Sequence, residues 1–154
     1  MKKGISVIGV GNIFRKDDAI GIHVVEYLEK KNTFANVRFI CKNISGLDVI
    51  KYFDYEFIII IDAVKMNKKP GTIKVFNPKN VNFINADSGV TTHGLALHET
   101  LKIAFEINHE YNIMVVGIEP SNTEFGLNLT NLIKQKIPNM VKKVELLISN
   151  FQKK

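Results

Sequence analysis

The sequence predicts an α/β protein, a three-layer α/β/α sandwich around a mixed, mostly parallel sheet, and three features carry that reading. Residues 5–10 form a short apolar run ending in Gly9-Val10-Gly11-Asn12, with helically spaced apolar residues after it. Residues 58–61 are four consecutive isoleucines, the pattern of a strand buried on both faces. Runs of these two kinds alternate to the end of the chain without a linker, repeat or low-complexity stretch, so residues 1–154 are expected to form one domain.

Each element has its own signal. Ile20, Val24, Val25 and Leu28 share one helical face, which predicts a helix over 19–28. Residues 37–41 read as a second strand, Leu47, Ile50 and Phe53 as a short helix, and 57–61 as a third strand. Pro70-Gly71 leads into a brief strand over 72–76, too close to its predecessor for a helical crossover and therefore predicted antiparallel. The polar stretch 77–92 carries Asp87-Ser88-Gly89, and Leu95, Leu97, Leu101, Ala104 and Phe105 then predict a helix that starts near His93. Residues 111–118 supply the last strand, and a helical segment from near Leu129 closes the chain, with Pro138 marking a kink or break in it.

Composition excludes several classes of function. A chain of 154 residues buries roughly 70% of its unfolded surface on folding and needs no disulfide or metal staple. Hydrophobic residues at 45% and charged residues at 23% match ordinary globular proteins rather than disordered or fibrous ones. The longest apolar run falls far short of the roughly 20 residues that span a bilayer, and Met1-Lys2-Lys3 leads directly into a strand-like segment. A cytoplasmic protein with no membrane partner is expected. Cys41 is the single cysteine, which rules out an internal disulfide or a CxxC motif. The net charge of +6 comes from scattered lysines, and the densest groups lack interleaved aromatic residues, so they read as solvated surface and not as a nucleic-acid site.

In an open α/β sheet, ligands collect at the carboxyl ends of the strands beside a topological switch point. Three polar positions fall on that predicted edge: Asp17-Asp18 after the first strand, Asp62 ending the third, and His93 in the loop after the fourth. Two carboxylates and an imidazole form a donor set suited to a borderline divalent metal such as zinc or nickel. Asp18 taken alone reads first as a helix N-cap, where an Asp accepts backbone N–H bonds. Asp62 is harder to explain as structure, because a charge closing a buried strand is costly unless it has a partner. His23, His98 and His109 read as surface or capping residues.

Other chemistries lack their residues. Gly9-Val10-Gly11-Asn12 resembles the start of a dinucleotide fingerprint, but Phe14 occupies the third glycine's place, several residues intervene before the helix, and the second strand ends at Cys41-Lys42 without a ribose-binding acid. The chain contains no P-loop, no GxSxG elbow and no HExxH.

Taken together and in order, Gly9-Val10-Gly11-Asn12, Asp17-Asp18 with Gly21, Ile61-Asp62-Ala63 with Pro70-Gly71, and Thr91-Thr92-His93 resemble the hydrogenase maturation endopeptidases. Ser45-Gly46, Val116-Gly117-Ile118-Glu119-Pro120 and Gly126-Leu127 with Leu129-Thr130 extend the resemblance over nearly the whole chain. It implies a mixed five-stranded sheet of the phosphorylase/hydrolase-like kind, with metal held by Asp18, Asp62 and His93. Relatives carry Glu or Asp at the position of Asp18, and Asp17 stands as the reserve candidate. His93-Gly94-Leu95 departs modestly from the varied residues that follow this histidine in relatives.

The resemblance further implies a partner and a reaction. The partner is a nickel-iron hydrogenase large-subunit precursor, cut shortly after its last metal-binding cysteine motif once nickel has been installed. The nickel travels with the precursor, no permanent cofactor is expected, and Asp18, Asp62 and His93 serve as both metal-contacting and catalytic residues. Two alternatives from other classes are a nickel-sensing chaperone without peptidase activity and a zinc-dependent amidase or aminopeptidase.

Overall fold

The computed structural model describes residues 1–31, 33–41, 44, 46–81 and 97–154. Five strands, β1 (Lys2–Gly9), β2 (Val37–Ile40), β3 (Tyr55–Ala63), β4 (Ile73–Phe76) and β5 (Ile113–Ile118), form one sheet in the order β2-β1-β3-β5-β4. β1, β2, β3 and β5 are mutually parallel, and β4 runs antiparallel along β5. The expected mixed sheet is therefore present. Its antiparallel strand pairs with β5 and not with β3, the strand before it in sequence.

Isoleucine and valine dominate the three central strands because β-branched side chains fit a pleated surface covered on both sides. Odd-numbered residues of β1 and β3, among them Ile5, Val7, Ile59 and Ile61, pack against α1 (Ile20–Lys31) and α4 (Ile137–Gln152). Even-numbered ones, Ile8, Ile58 and Ile60, pack against a 3-10 turn (Gly46–Tyr52) and α2 (Leu97–Ile107). The period of two along each strand thus divides the core into two layers and produces the three-layer sandwich.

On α1, the buried residues Ile20, Val24, Val25 and Leu28 face the sheet, and Lys30 and Lys31 sit in the last turn, where cations favour the helix dipole. The segment around Leu47 and Ile50 is a 3-10 helix and not an α-helix, a short connector that docks Val49 beneath the sheet. After β5, the helical segment is split into α3 (Asn131–Lys134) and α4. Pro138 lies in the first turn of α4, where its missing N–H removes no intrahelical bond, so the proline starts the second helix and does not kink a continuous one.

α2 is described from Leu97, and the short connector 108–112 joins its end to the amino end of β5. It therefore runs antiparallel to β5, with its first turn toward the carboxyl edge of the sheet. His93, the Thr91-Thr92 pair, Asp87-Ser88-Gly89, Ser45 and Lys42 lie outside the described residues. No described helix is long and apolar enough to cross a membrane.

Candidate active site

From β1 the chain passes to β2 on one side, and β3 and β5 lie on the other, which puts the switch point of the sheet at the carboxyl ends of β1 and β3. The first turn closes over that point. Gly11 has a φ of +144°, and a Cβ there would collide with the Asp18 carbonyl; a Cβ on Gly21 would collide with the carbonyls of Ile61 and Val10. Only glycine permits this approach of backbone to backbone. Through it, the 3-10 turn Lys16–Ala19 and the start of α1 settle against the ends of β1 and β3.

The backbone donors of the turn are taken up by the protein itself. Val10 N–H donates to the Ile61 carbonyl (2.9 Å) and Gly11 N–H to the Ile44 carbonyl (3.3 Å). Asn12 N–H donates to Asp18 Oδ2 (2.8 Å). A dinucleotide pyrophosphate would need these groups free, so the glycines serve a close strand-to-helix junction instead.

Asp62 lies in the ladder of β3, paired with Gly117 of β5, and only 8% of it is exposed. Burial pushes its carboxyl well above the usual carboxylate range, and the nearby charge of Asp18 pushes in the same direction; the backbone N–H of Ala63 opposes both. Two sequence-predicted acids are thus brought together across 44 positions of chain, 62 − 18. Among the described residues, no three His, Cys, Asp or Glu side chains form a metal-holding group. The third predicted member, His93, lies outside them.

Asp17, the reserve candidate, has a different role. It is fully buried, and its Oδ2 accepts from Ser121 N–H (2.9 Å) and Asn122 N–H (2.8 Å). Its Oδ1 accepts from Thr130 N–H (2.7 Å), and the Thr130 hydroxyl lies 3.0 Å from both oxygens. With both oxygens so occupied, Asp17 is a clamp between the first turn and the segment after β5.

Glu119 is a second clamp that sequence reasoning missed. It is 9% exposed, and its Oε2 accepts from Met66 N–H (2.5 Å) and Lys68 N–H (3.4 Å), which holds the loop after Asp62 against the end of β5. The signal was present: an acid directly after an apolar strand, the same feature that singles out Asp62. Cys41 is a half-buried thiol 3.6 Å from Glu29, raised in pKa first by burial and then by that carboxylate. Both effects disfavour a thiolate nucleophile.

Comparison with known proteins identifies the family. The hydrogenase maturation protease family model matches residues 22–146, a span that includes Asp62 and His93 and begins just after Asp18. A putative hydrogenase maturation protease of Methanocaldococcus jannaschii is 31% identical over 157 residues, covering 99% of each chain. The hydrogenase 2 maturation protease of Escherichia coli is 27% identical over 144 residues, covering 91% of this chain and 87% of the relative. The solved structure of the hydrogenase maturating endopeptidase HybD from E. coli superposes with a TM-score of 0.75 at 24% identity, covering 96% of this chain and 93% of that one, and so shares the fold. The chain belongs to the hydrogenase maturation protease family and is a hydrolase, an endopeptidase.

Proposed function

We propose that this endopeptidase removes the C-terminal extension of a nickel-loaded nickel-iron hydrogenase large-subunit precursor, and that Asp18, Asp62 and His93 contact the nickel which the precursor carries. The observation that supports this most is the meeting of Asp18 and Asp62 at the switch point of the sheet. Two carboxylates sharing a poorly solvated site repel one another, and a divalent cation delivered by the substrate relieves that repulsion. Asp62 follows the parity of Ile58 and Ile60, the face that α2 covers, and the first turn of α2 at Leu97 begins four positions after His93.

In this reading, nickel supplied by the precursor serves as a loading check and polarises the scissile carbonyl or a bound water. A carboxylate oxygen of the pair accepts the proton of the attacking water, and the new carboxyl and amine termini separate as the extension leaves. No resident cofactor is required. The reaction is placed in the cytoplasm.

The test is incubation with candidate large-subunit precursors, with and without nickel, followed by intact mass. Nickel-dependent loss of a C-terminal peptide is expected, and Asp62→Asn should abolish it. Unchanged processing by Asp62→Asn would remove Asp62 from the catalytic machinery, and nickel-independent cleavage of generic small peptides would overturn the precursor-specific reading.

A further inference from the structure

Around the Asp17 clamp, two loops are joined into one ledge beside the candidate site. Gly126 N–H donates to the Phe14 carbonyl (2.8 Å), Lys16 N–H to the Gly126 carbonyl (3.0 Å) and Asp17 N–H to the Asn122 carbonyl (3.1 Å). The Asn12 N–H bond to Asp18 makes this ledge continuous with the acid pair. Its outer side is apolar: Phe14 is 53% exposed, Phe125 71% and Leu127 67%, and all three flank the Phe14–Gly126 bond. A lone exposed leucine needs no explanation, but three large apolar side chains on loops fixed to each other at the rim of an active site form a patch that calls for a partner.

Charge narrows the partner. The Arg15 guanidinium lies 4.3 Å from the centre of the Phe125 ring, and Lys16 sits beside it. Across the site, Lys65, Lys68 and Lys69 are exposed on the loop that Glu119 holds. Of the acids on this rim, Asp17, Asp62 and Glu119 are buried and Asp18 is half-buried, and Glu124 is the exposed acid of the 121–130 loop, 3.9 Å from Lys16. Against these two accessible acids stand Arg15, Lys16, Lys65, Lys68 and Lys69, so the accessible rim is apolar with an excess of cations.

We infer that Phe14, Phe125 and Leu127 are specificity-determining residues that dock an extended, apolar and net-acidic segment of the precursor next to the scissile bond. This rests on the proposed function. An apolar strip seats such a segment by burying side chains, while the surrounding cations draw it in and set its register. The acid pair then needs only to engage the nickel, since binding energy has been collected on the ledge.

The experiment compares wild type with the triple variant Phe14→Ser, Phe125→Ser and Leu127→Ser on the nickel-loaded precursor, with thermal unfolding followed in parallel. All three positions are exposed, so the melting temperature should hold. A rise in KM of about tenfold or more with kcat within about twofold is expected. In wild type, KM should also rise between about 0.05 and 0.5 M salt as the rim is screened. An unchanged KM in the triple variant, or its kcat falling with KM unmoved, overturns the docking role, and a salt-independent wild-type KM overturns the acidic partner. The single variants Phe125→Ser and Leu127→Ser decide the matter should the triple variant melt early. Failure of wild type to cut any nickel-loaded precursor is a separate result that removes the proposed function itself.

Discussion

Asp18 lies close enough to Asp62 that its charge raises the Asp62 pKa, on top of the larger effect of burial. The two acids therefore form an electrostatically unfavourable pair in the folded chain, and the fold tolerates it at the one edge where the sheet accepts a ligand.

That pair gives stability a pH dependence of definite sign. The folded-state pKa of Asp62 is raised, so its contribution to stability is fully present below the unfolded value of 3.8 and is lost as pH rises through the folded value. Asp62→Asn has no such titration. It should melt at or above the wild-type temperature near neutral pH, with the difference shrinking toward pH 4, where each kcal/mol corresponds to about 2–4 °C for a chain of this size. Calorimetric scans from acid to neutral pH read this directly; a variant less stable than wild type at neutral pH would contradict it.

Asp18→Asn should leave the fold in place, because the amide oxygen still accepts the Asn12 N–H. The carboxylate charge is lost, and precursor processing is expected to fall by about 100-fold or more. Intact-mass time courses, with circular dichroism as the control for folding, measure both effects.

Asp17→Asn puts an amide nitrogen where an oxygen accepts backbone N–H groups in a fully buried position. Leaving one donor unsatisfied and removing the charge that the others share should cost about 3 kcal/mol, or about 6–12 °C of melting temperature. Hydrogen exchange should rise first in residues 121–130.

Gly21→Ala forces a methyl group into the Ile61 and Val10 carbonyls, which are backbone atoms that cannot rotate away. A loss of about 3 kcal/mol or more is expected, and low soluble yield with it. Normal expression and melting would show that the junction between α1 and the sheet is looser than the contacts indicate.

Glu119→Gln weakens the hold on Met66 N–H and Lys68 N–H, freeing a loop that presents Lys65, Lys68 and Lys69. Trypsin should cut there several-fold faster than in wild type, while global stability drops by about 1–2 kcal/mol. Mass spectrometry of the early fragments identifies the site.

Much of this was legible in the sequence. The four isoleucines at 58–61 and the helical spacing of Ile20, Val24, Val25 and Leu28 report burial directly, because burial on both faces of a strand or one face of a helix leaves few other residue choices. The antiparallel sense of β4 followed from its distance along the chain, but its pairing with β5 did not, since neighbour choice in a sheet depends on where later strands go. Strand ends alone brought the Asp17-Asp18 pair and Asp62 to one edge of the sheet, and the family resemblance singled out Asp18. Spacing and residue type alone did not separate Asp17 from Asp18: adjacent acids look alike until the segment 121–130 arrives to occupy one of them.

The Asp17 clamp joins residues 104 and 113 positions apart, so the rim beside Asp18 has no wall until the chain has been made as far as Thr130. When β1, β3 and both acids have been synthesised, the nascent polypeptide still lacks this last piece. Peptide-cutting ability would therefore arrive late in synthesis, only after the protein's own final third is out and folded.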